Sequence, residues 1–217
     1  MRIVVVGGHG KVALLLSPLL AARGDEVAAI IRNPAHREDV SASGATPVVA
    51  DVEELDVDAI ASVLRGHDAV VWSAGAGGGN PARTYAVDRD AAIRTIDAAA
   101  VAGVRRFVMV SYFGARGEHG VSPDSSFFPY AEAKAAADEH LRRSDLDWTI
   151  LGPTTLTLDP PAGRIDVAAT SPGRVPRADV AAVIAEVLHR PDTSGRAIRF
   201  RAGEVPIADA VGSAAST

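Results

Sequence analysis

The chain opens MRIVVVGGHGKVALLL, and this passage limits the possible folds more than any other. Residues 2–7, RIVVVG, form an apolar β-branched run with no polar alternation. Such a run suits a parallel strand covered by helices on both sides. It ends in glycines, and an apolar stripe of helical period follows over 10–22. A strand that turns on glycine into a helix leaves the first helical N–H groups facing the turn, a ready site for phosphate.

The rest of the chain repeats this alternation. Apolar runs at 26–32, 46–51, 68–74, 106–111, 147–152 and 197–202 read as further strands. Stretches 34–42, 56–65, 84–102, 130–143 and 177–189 read as helices. Pro18 is expected to kink the first helix and Gly24 to stop it. The pattern predicts an α/β fold, a Rossmann-type doubly wound parallel sheet of about seven strands in a single domain. Segments 112–129 and 152–164 read as irregular. Each follows a strand at its carboxyl end, where open α/β sheets bind ligands. Residues 1–205 are expected to form the nucleotide-binding domain and 206–217 a C-terminal segment frayed at its end.

Composition removes several classes of function. With 217 residues, the chain can bury a core without covalent staples. It has no cysteine, so disulfides and thiolate chemistry are excluded. A net charge of −5 with no basic run argues against nucleic acid. No apolar run approaches the ~20 residues of a membrane span. The N-terminus does not read as a secretory leader. A cytoplasmic protein, monomer or homodimer, with a small-molecule substrate is expected. His36, His67, His140 and His189 have no metal-ligand spacing, and no metal is expected. Trp72 and Trp148 lie on strands and read as core.

The glycine turn can be aligned as G-x-x-G-x-x-A through Gly7, Gly10 and Ala13, or as G-x-G-x-x-A from Gly8. In either alignment a glycine lets the backbone approach a pyrophosphate and a small residue lets the helix pack on the sheet. Lys11 and Val12 open the helix at the phosphate, and His9 in the loop either touches a phosphate through its ring nitrogen or is a plain exposed loop residue. An NAD site wants an acid at the end of the second strand. Here Arg32 and Asn33 stand there, and a guanidinium can fork onto a 2′-phosphate, so NADP(H) is the expected cofactor. Arg37 either assists or is solvated. Asp51 and Val52 close the third strand, where the acid either accepts from the adenine amino group or caps a turn. Ser73, Ala74 and Gly75 close the fourth and let backbone lie against ribose or pyrophosphate.

These landmarks, with IIRNP, WSAGAG, YAVDRDAAIRTIDAAAVAGVRRFVMVSYFGA, YAEAKAAADEHLRRSDLDWTILGP and VPRADVAAVIAEVL, resemble the short-chain dehydrogenase/reductase superfamily. More narrowly the chain resembles its atypical, epimerase-like NAD(P)H-binding branch, in which biliverdin/flavin reductase-type proteins also fall. The resemblance implies a catalytic set of Ser111 after the fifth strand with Tyr130 and Lys134 as the Y-x-x-x-K pair. Tyr130 would donate a proton to a carbonyl, Lys134 would lower its pKa and hold the nicotinamide ribose, and Ser111 would bind the substrate oxygen. Asp88 occupies the place of the superfamily's usual Asn, where it would orient water or Lys134. GPT at 152–154 replaces R-P-G, and Pro153 would shape the nicotinamide pocket. His119, in the 112–129 loop, is either a substrate contact or a plain loop residue.

The activity implied is an NADP(H)-dependent oxidoreductase acting on a small carbonyl, quinone, flavin or similar acceptor. A non-catalytic NADP(H) sensor and an NAD(P)-dependent epimerase-type isomerase are the alternatives. Only about 65 residues follow the sixth strand, which argues against a bulky nucleotide-sugar substrate.

Overall fold

The computed structural model describes residues 1–77 and 79–215. Its strands are β1 Arg2–Val6, β2 Glu26–Ile31, β3 Thr46–Val49, β4 Ala69–Trp72, β5 Arg106–Val110, β6 Asp147–Pro153, β7 Thr155–Thr157, β8 Arg164–Asp166, β9 Arg174–Pro176, β10 Arg196–Ala202 and β11 Val205–Pro206. Its helices are α1 Lys11–Ala22, α2 Arg37–Ala42, α3 Val57–Leu64, α4 Pro81–Thr84, α5 Ala92–Ala102, α6 Phe128–Arg142, α7 Arg177–Leu188 and α8 Ile207–Ala215. A 3₁₀ turn, Pro34–His36, leads into α2, and a π-helical stretch, Tyr85–Ala91, joins α4 to α5.

One nine-stranded sheet runs β11-β8-β10-β6-β5-β4-β1-β2-β3. From β3 to β10 every pairing is parallel, and β8 and β11 add antiparallel at the far edge. Within this sheet the order 3-2-1-4-5-6 is the doubly wound arrangement, whose direction reverses between β1 and β4. The opening run is apolar throughout because it is covered twice. Ile3 and Val5 pack under Leu16 and Leu20 of α1 and Ile184 of α7. Val4 and Val6 pack on the opposite face with Ile60 of α3, Ile96 of α5 and Leu141 of α6. Full burial of such side chains stabilises by about 1.5–3 kcal/mol each.

Helix α1 continues through Pro18, which is on its exposed side, where the carbonyl it leaves unbonded can be hydrated. Three features depart from the sequence reading. The helix expected over 84–102 is interrupted by π winding. Segment 152–164 is less irregular than expected: β6 extends to Pro153, and β7 pairs with β9 in a separate two-stranded sheet. With β8 and β11 the short strands raise the count above seven. They are two or three residues long, too short to show periodicity. Finally, residues 207–215 form α8, whose Ile207, Ala210 and Val211 share a helical face and join the core beneath α7. Ser216 and Thr217, expected to fray, lie outside the described residues.

Asp179, fully buried at the start of α7, fixes the return of the chain after β7. Its carboxylate accepts from the backbone N–H of Ala162 at 3.0 Å and Gly163 at 2.8 Å. Asp179→Ala should cost about 2–3 kcal/mol, because two backbone donors lose a charged acceptor that is itself fully buried. Urea unfolding measures this, and a midpoint equal to that of the parent would show that the anchor does nothing.

Candidate active site

All parallel strands end at one edge of the sheet, and three adjoining cavities line that edge. The first, about 330 Å³, is bounded by the glycine turn, Arg32, Asn33, Asp51, Val52 and Ser73–Gly75. The glycines are there because nothing larger fits. Gly7 has φ +84°, and a Cβ on it would be 2.6 Å from the Ala74 Cα. A Cβ on Gly8 would meet the Ala29 Cβ at 2.5 Å, and one on Gly10 the Gly7 carbonyl oxygen at 3.1 Å. Gly7 and Gly8 are therefore obligatory, Gly8 being set by its packing on β2, while a side chain at Gly10 would need the Gly7 carbonyl to give by a few tenths of an ångström. Gly10 caps α1 without any side-chain hydrogen bond, and the first turn of α1 carries no acid. The helix N-terminus is thus left to an anion. A dinucleotide phosphate fits this cradle.

At the other end of this cavity Arg32 donates to Glu53 at 3.1 Å, and the Arg83 guanidinium is 3.6 Å from the same carboxylate. Asn33 uses its side chain to cap the turn at Ala35, and Asp51 accepts from the Glu53 N–H at 3.1 Å. His9 stacks on His36 with ring centroids 3.6 Å apart and is bonded to Asp39 at 2.8 Å. Arg37 does not line the cavity. Glu53 and Arg83 were not evident in the sequence, since no period or motif brings residues 32, 53 and 83 together.

The second cavity, about 1030 Å³, runs from Gly10, Lys11 and Val12 past Ser73–Gly75 to Ser111, Tyr130 and Lys134. The ammonium of Lys134 is buried. It is 3.2 Å from a carboxylate oxygen of Asp88 and donates to the Val110 carbonyl at 3.2 Å. The other Asp88 oxygen accepts from the Ala76 N–H at 2.9 Å. Of the two roles expected for Asp88, the structure gives it the orientation of Lys134. Burial alone would lower the Lys134 pKa, but Tyr130, Asp88 and Asp138 together raise it, so the ammonium is held charged.

Tyr130 is half-buried among Tyr112 and Phe127, with the Lys134 nitrogen 5.9 Å from its ring centroid. The expected lowering of its pKa does not prevail. Burial pushes it up, Lys134 pulls down less strongly, and Asp88 and Asp138 add to the rise. The phenol is protonated at neutral pH.

Ser111 is not directed at open space. Its hydroxyl donates at 2.7 Å to Asp138, a fully buried acid absent from the expected set. The second Asp138 oxygen is buried without a hydrogen-bond partner among the described residues. Burial pushes the Asp138 carboxyl up to about 6, against the pull of Ser111, Lys134, Arg142 and Arg199. The sequence does hold a trace of it. Tyr130, Lys134 and Asp138 recur every four residues, and Ala131, Ala133, Ala135 and Ala137 are buried around them. A helix with so much buried alanine packs closely enough to take its polar residues inside.

The third cavity, about 850 Å³, shares Ser111, Phe127, Tyr130 and Leu156 with the second. Pro153 lines this one and neither of the others. His119 lines none of the three. Its ring accepts from the Val121 N–H and packs against Phe128, as a loop residue. Among the described residues there is no group of three or more His, Asp or Glu placed to hold a metal, and no helix is long and apolar enough to cross a membrane.

Comparison with known proteins agrees with this architecture. The model of an NAD(P)H-binding family matches residues 7–191. An uncharacterized sugar epimerase of Bacillus subtilis, YhfK, is 33% identical over 97% of this chain and 99% of its own. A Bacillus halodurans protein, provisionally named an NAD-dependent epimerase/dehydratase, is 34% identical with a TM-score of 0.91, over 98% of this chain and 99% of its own. The oxidoreductase YlbE of Lactococcus lactis is 28% identical with a TM-score of 0.89, over 100% and 98%. A glycine cradle at the sheet's switch point, a buried Lys–Asp pair and these full-length matches have one conclusion: the chain belongs to the NAD(P)H-binding family, as an atypical member of the short-chain dehydrogenase/reductase type.

Proposed function

We propose that the protein is an NADP(H)-dependent reductase of a small carbonyl or similar flat acceptor. The observation that carries this is the position of Ser111 and Tyr130 in the wall shared by the second and third cavities. Gly7, Gly10, Val12, Ser73 and Lys134 would hold the cofactor along the first two cavities, and the third would take the substrate. The nicotinamide, when bound, supplies a hydride to the carbonyl carbon. Tyr130 gives the proton that the carbonyl oxygen needs to become a hydroxyl. A phenol held protonated can act as that acid at neutral pH. Lys134, fixed as a cation by Asp88, stabilises the phenolate that the proton leaves behind.

Asp138 decides what Ser111 can do. While ionised it takes the serine hydroxyl as donor. Once protonated it can donate to the Ser111 oxygen, freeing the serine proton for the substrate oxygen.

The choice of NADP(H) rests on Arg32 and Arg83. Two guanidiniums meet the single carboxylate of Glu53, and the N–H groups it does not take can fork onto a 2′-phosphate. The epimerase named among the relatives is the second reading. Among the described residues, the third cavity has no carboxylate or amide side chain in its lining to sort sugar hydroxyls, which favours a reductase.

Fluorescence titration should show NADPH binding about tenfold or more tighter than NADH, with Arg32→Ala removing most of the difference. NADH bound as tightly as NADPH by the parent would overturn the assignment. Tyr130→Phe should lower kcat for a carbonyl by about a hundredfold or more while leaving NADPH affinity intact. Unchanged turnover would remove Tyr130 as the acid. Asp138 also affects stability. A carboxyl whose native pKa exceeds its unfolded 3.8 stabilises fully below that value, and the gain is lost as pH rises through about 6. Asp138→Asn should therefore raise Tm at pH 7.5, by up to about 3 kcal/mol in stability, with the gain vanishing near pH 4. A loss of equal size at both pH values would show that burial of the charge is not the cost.

A further inference from the structure

We propose that the third cavity is built for a substrate that carries a carboxylate on a flat apolar body, with Arg199 and Arg116 as the residues that receive the acid. This deepens the reductase reading and rests on it for the reaction at the other end of the molecule. Four observations converge.

The first is charge. Among the described residues lining the cavity, Arg116 and Arg199 are the charged ones, and no acid accompanies them. In a chain of net charge −5, two cations in one concavity with no acid in its lining stand out; the acid that Arg199 acts on, Asp138, is fully buried. The second is freedom. Arg32, Arg83, Arg105, Arg190 and Arg201 are each paired with a carboxylate. Among the described residues no hydrogen bond or ion pair restrains the guanidinium of Arg199. Arg116 spends only its Nε, on the Glu118 carbonyl at 3.0 Å. Both retain the paired N–H groups that fork onto a carboxylate.

The third observation is how Arg199 reaches the cavity. Arg199 is paired across the sheet with Gly152. A Cβ on Gly152 would be 3.1 Å from the Arg199 Cγ and 3.2 Å from the Tyr112 carbonyl oxygen. The missing side chain is what allows the arginine stem to lie across β6 beside the 112–114 turn. The fourth is Thr154, 7% exposed, whose hydroxyl has no hydrogen-bond partner among the described residues and belongs to the same wall. A buried hydroxyl without a partner is costly and is satisfied by a ligand oxygen.

The rest of the lining supplies the flat apolar walls: Tyr112, Phe113, Phe127, Tyr130 and Leu156. Tyr130 at one end and the two arginines elsewhere in the same cavity define a molecule with a reducible carbonyl and a separate acid group. The acid takes no part in the reaction. It fixes which way the carbonyl faces.

The test separates binding from turnover. With the protein saturated in NADP+, calorimetry compares 2-naphthoate with 2-naphthamide, a pair of equal shape that differs in charge and cannot be reduced. The acid should bind about tenfold or more tighter, and Arg199→Met should remove that preference without changing NADP+ affinity, which also reports intact folding. Arg116→Met should reduce it in the same direction. Equal affinity of the parent for acid and amide, or a preference untouched in both variants, overturns the proposal. In parallel, NADPH oxidation is followed with 4-formylbenzoate and its methyl ester, the acid being expected to show the lower KM. Naphthoate preferred but neither aldehyde reduced would uphold the anion site and overturn the reductase reading. Both aldehydes reduced with equal KM and no naphthoate preference would uphold the reductase and overturn the anion site.

Discussion

The buried pair of Lys134 and Asp88 holds the site together. It ties α6 to the π-helical stretch, while the second oxygen of Asp88 holds the loop after β4 through Ala76, and Lys134 holds the end of β5 through Val110. Four of the chain segments that wall the second cavity therefore meet on two charges. Such a pair adds little net stability over an apolar substitute, but loss of one partner strands the other and costs about 3–5 kcal/mol. Its presence is better explained by position than by stability. It keeps a cation fixed beside Tyr130 in a place where burial alone would tend to neutralise it.

The same low-dielectric setting gives the two acids of the cluster different characters. Asp88 faces the ammonium and one fixed donor, the Ala76 N–H. Asp138 has one oxygen on Ser111 and the other unpartnered, so burial dominates and its carboxyl rises to about 6. Tyr130 is pushed upward by the same burial. A site with a fixed cation and a phenol inclined to keep its proton is suited to giving a proton away.

What the sequence reveals follows from the range of the interactions. The glycine turn, the alternating runs and the strand order were legible because each is local or repeats. Ser111, Tyr130, Lys134 and Asp88 were legible through the resemblance, and the structure brings all four to one place. Glu53 and Arg83 were not, because their meeting with Arg32 depends on three separate strand ends converging. Asp138 was missed since an acid late in a helix reads as solvated unless the burial of its alanine neighbours is weighed. The direction of the Tyr130 shift was also missed. Spacing reveals that an ammonium is near, but only the surrounding rings and acids determine whether its pull prevails. The short strands between residues 153 and 206 are defined by their partners, and only the folded chain supplies those.

The π winding of Tyr85–Ala91 has a geometric consequence of its own. It is held against α6 twice, by Asp88 on Lys134 and by the Tyr85 hydroxyl on Glu132. A widened turn accommodates one more residue than an α-helical turn over the same rise, and each residue of an α-helix is worth about 100° of rotation. Loss of a single residue from this stretch would let it rewind as α-helix and swing the preceding segment around the axis. Helix pitch, as much as side-chain identity, sets the azimuth at which an anion meets the buried lysine. A chain could keep every charged residue of the site and still lose their alignment through one change in length here.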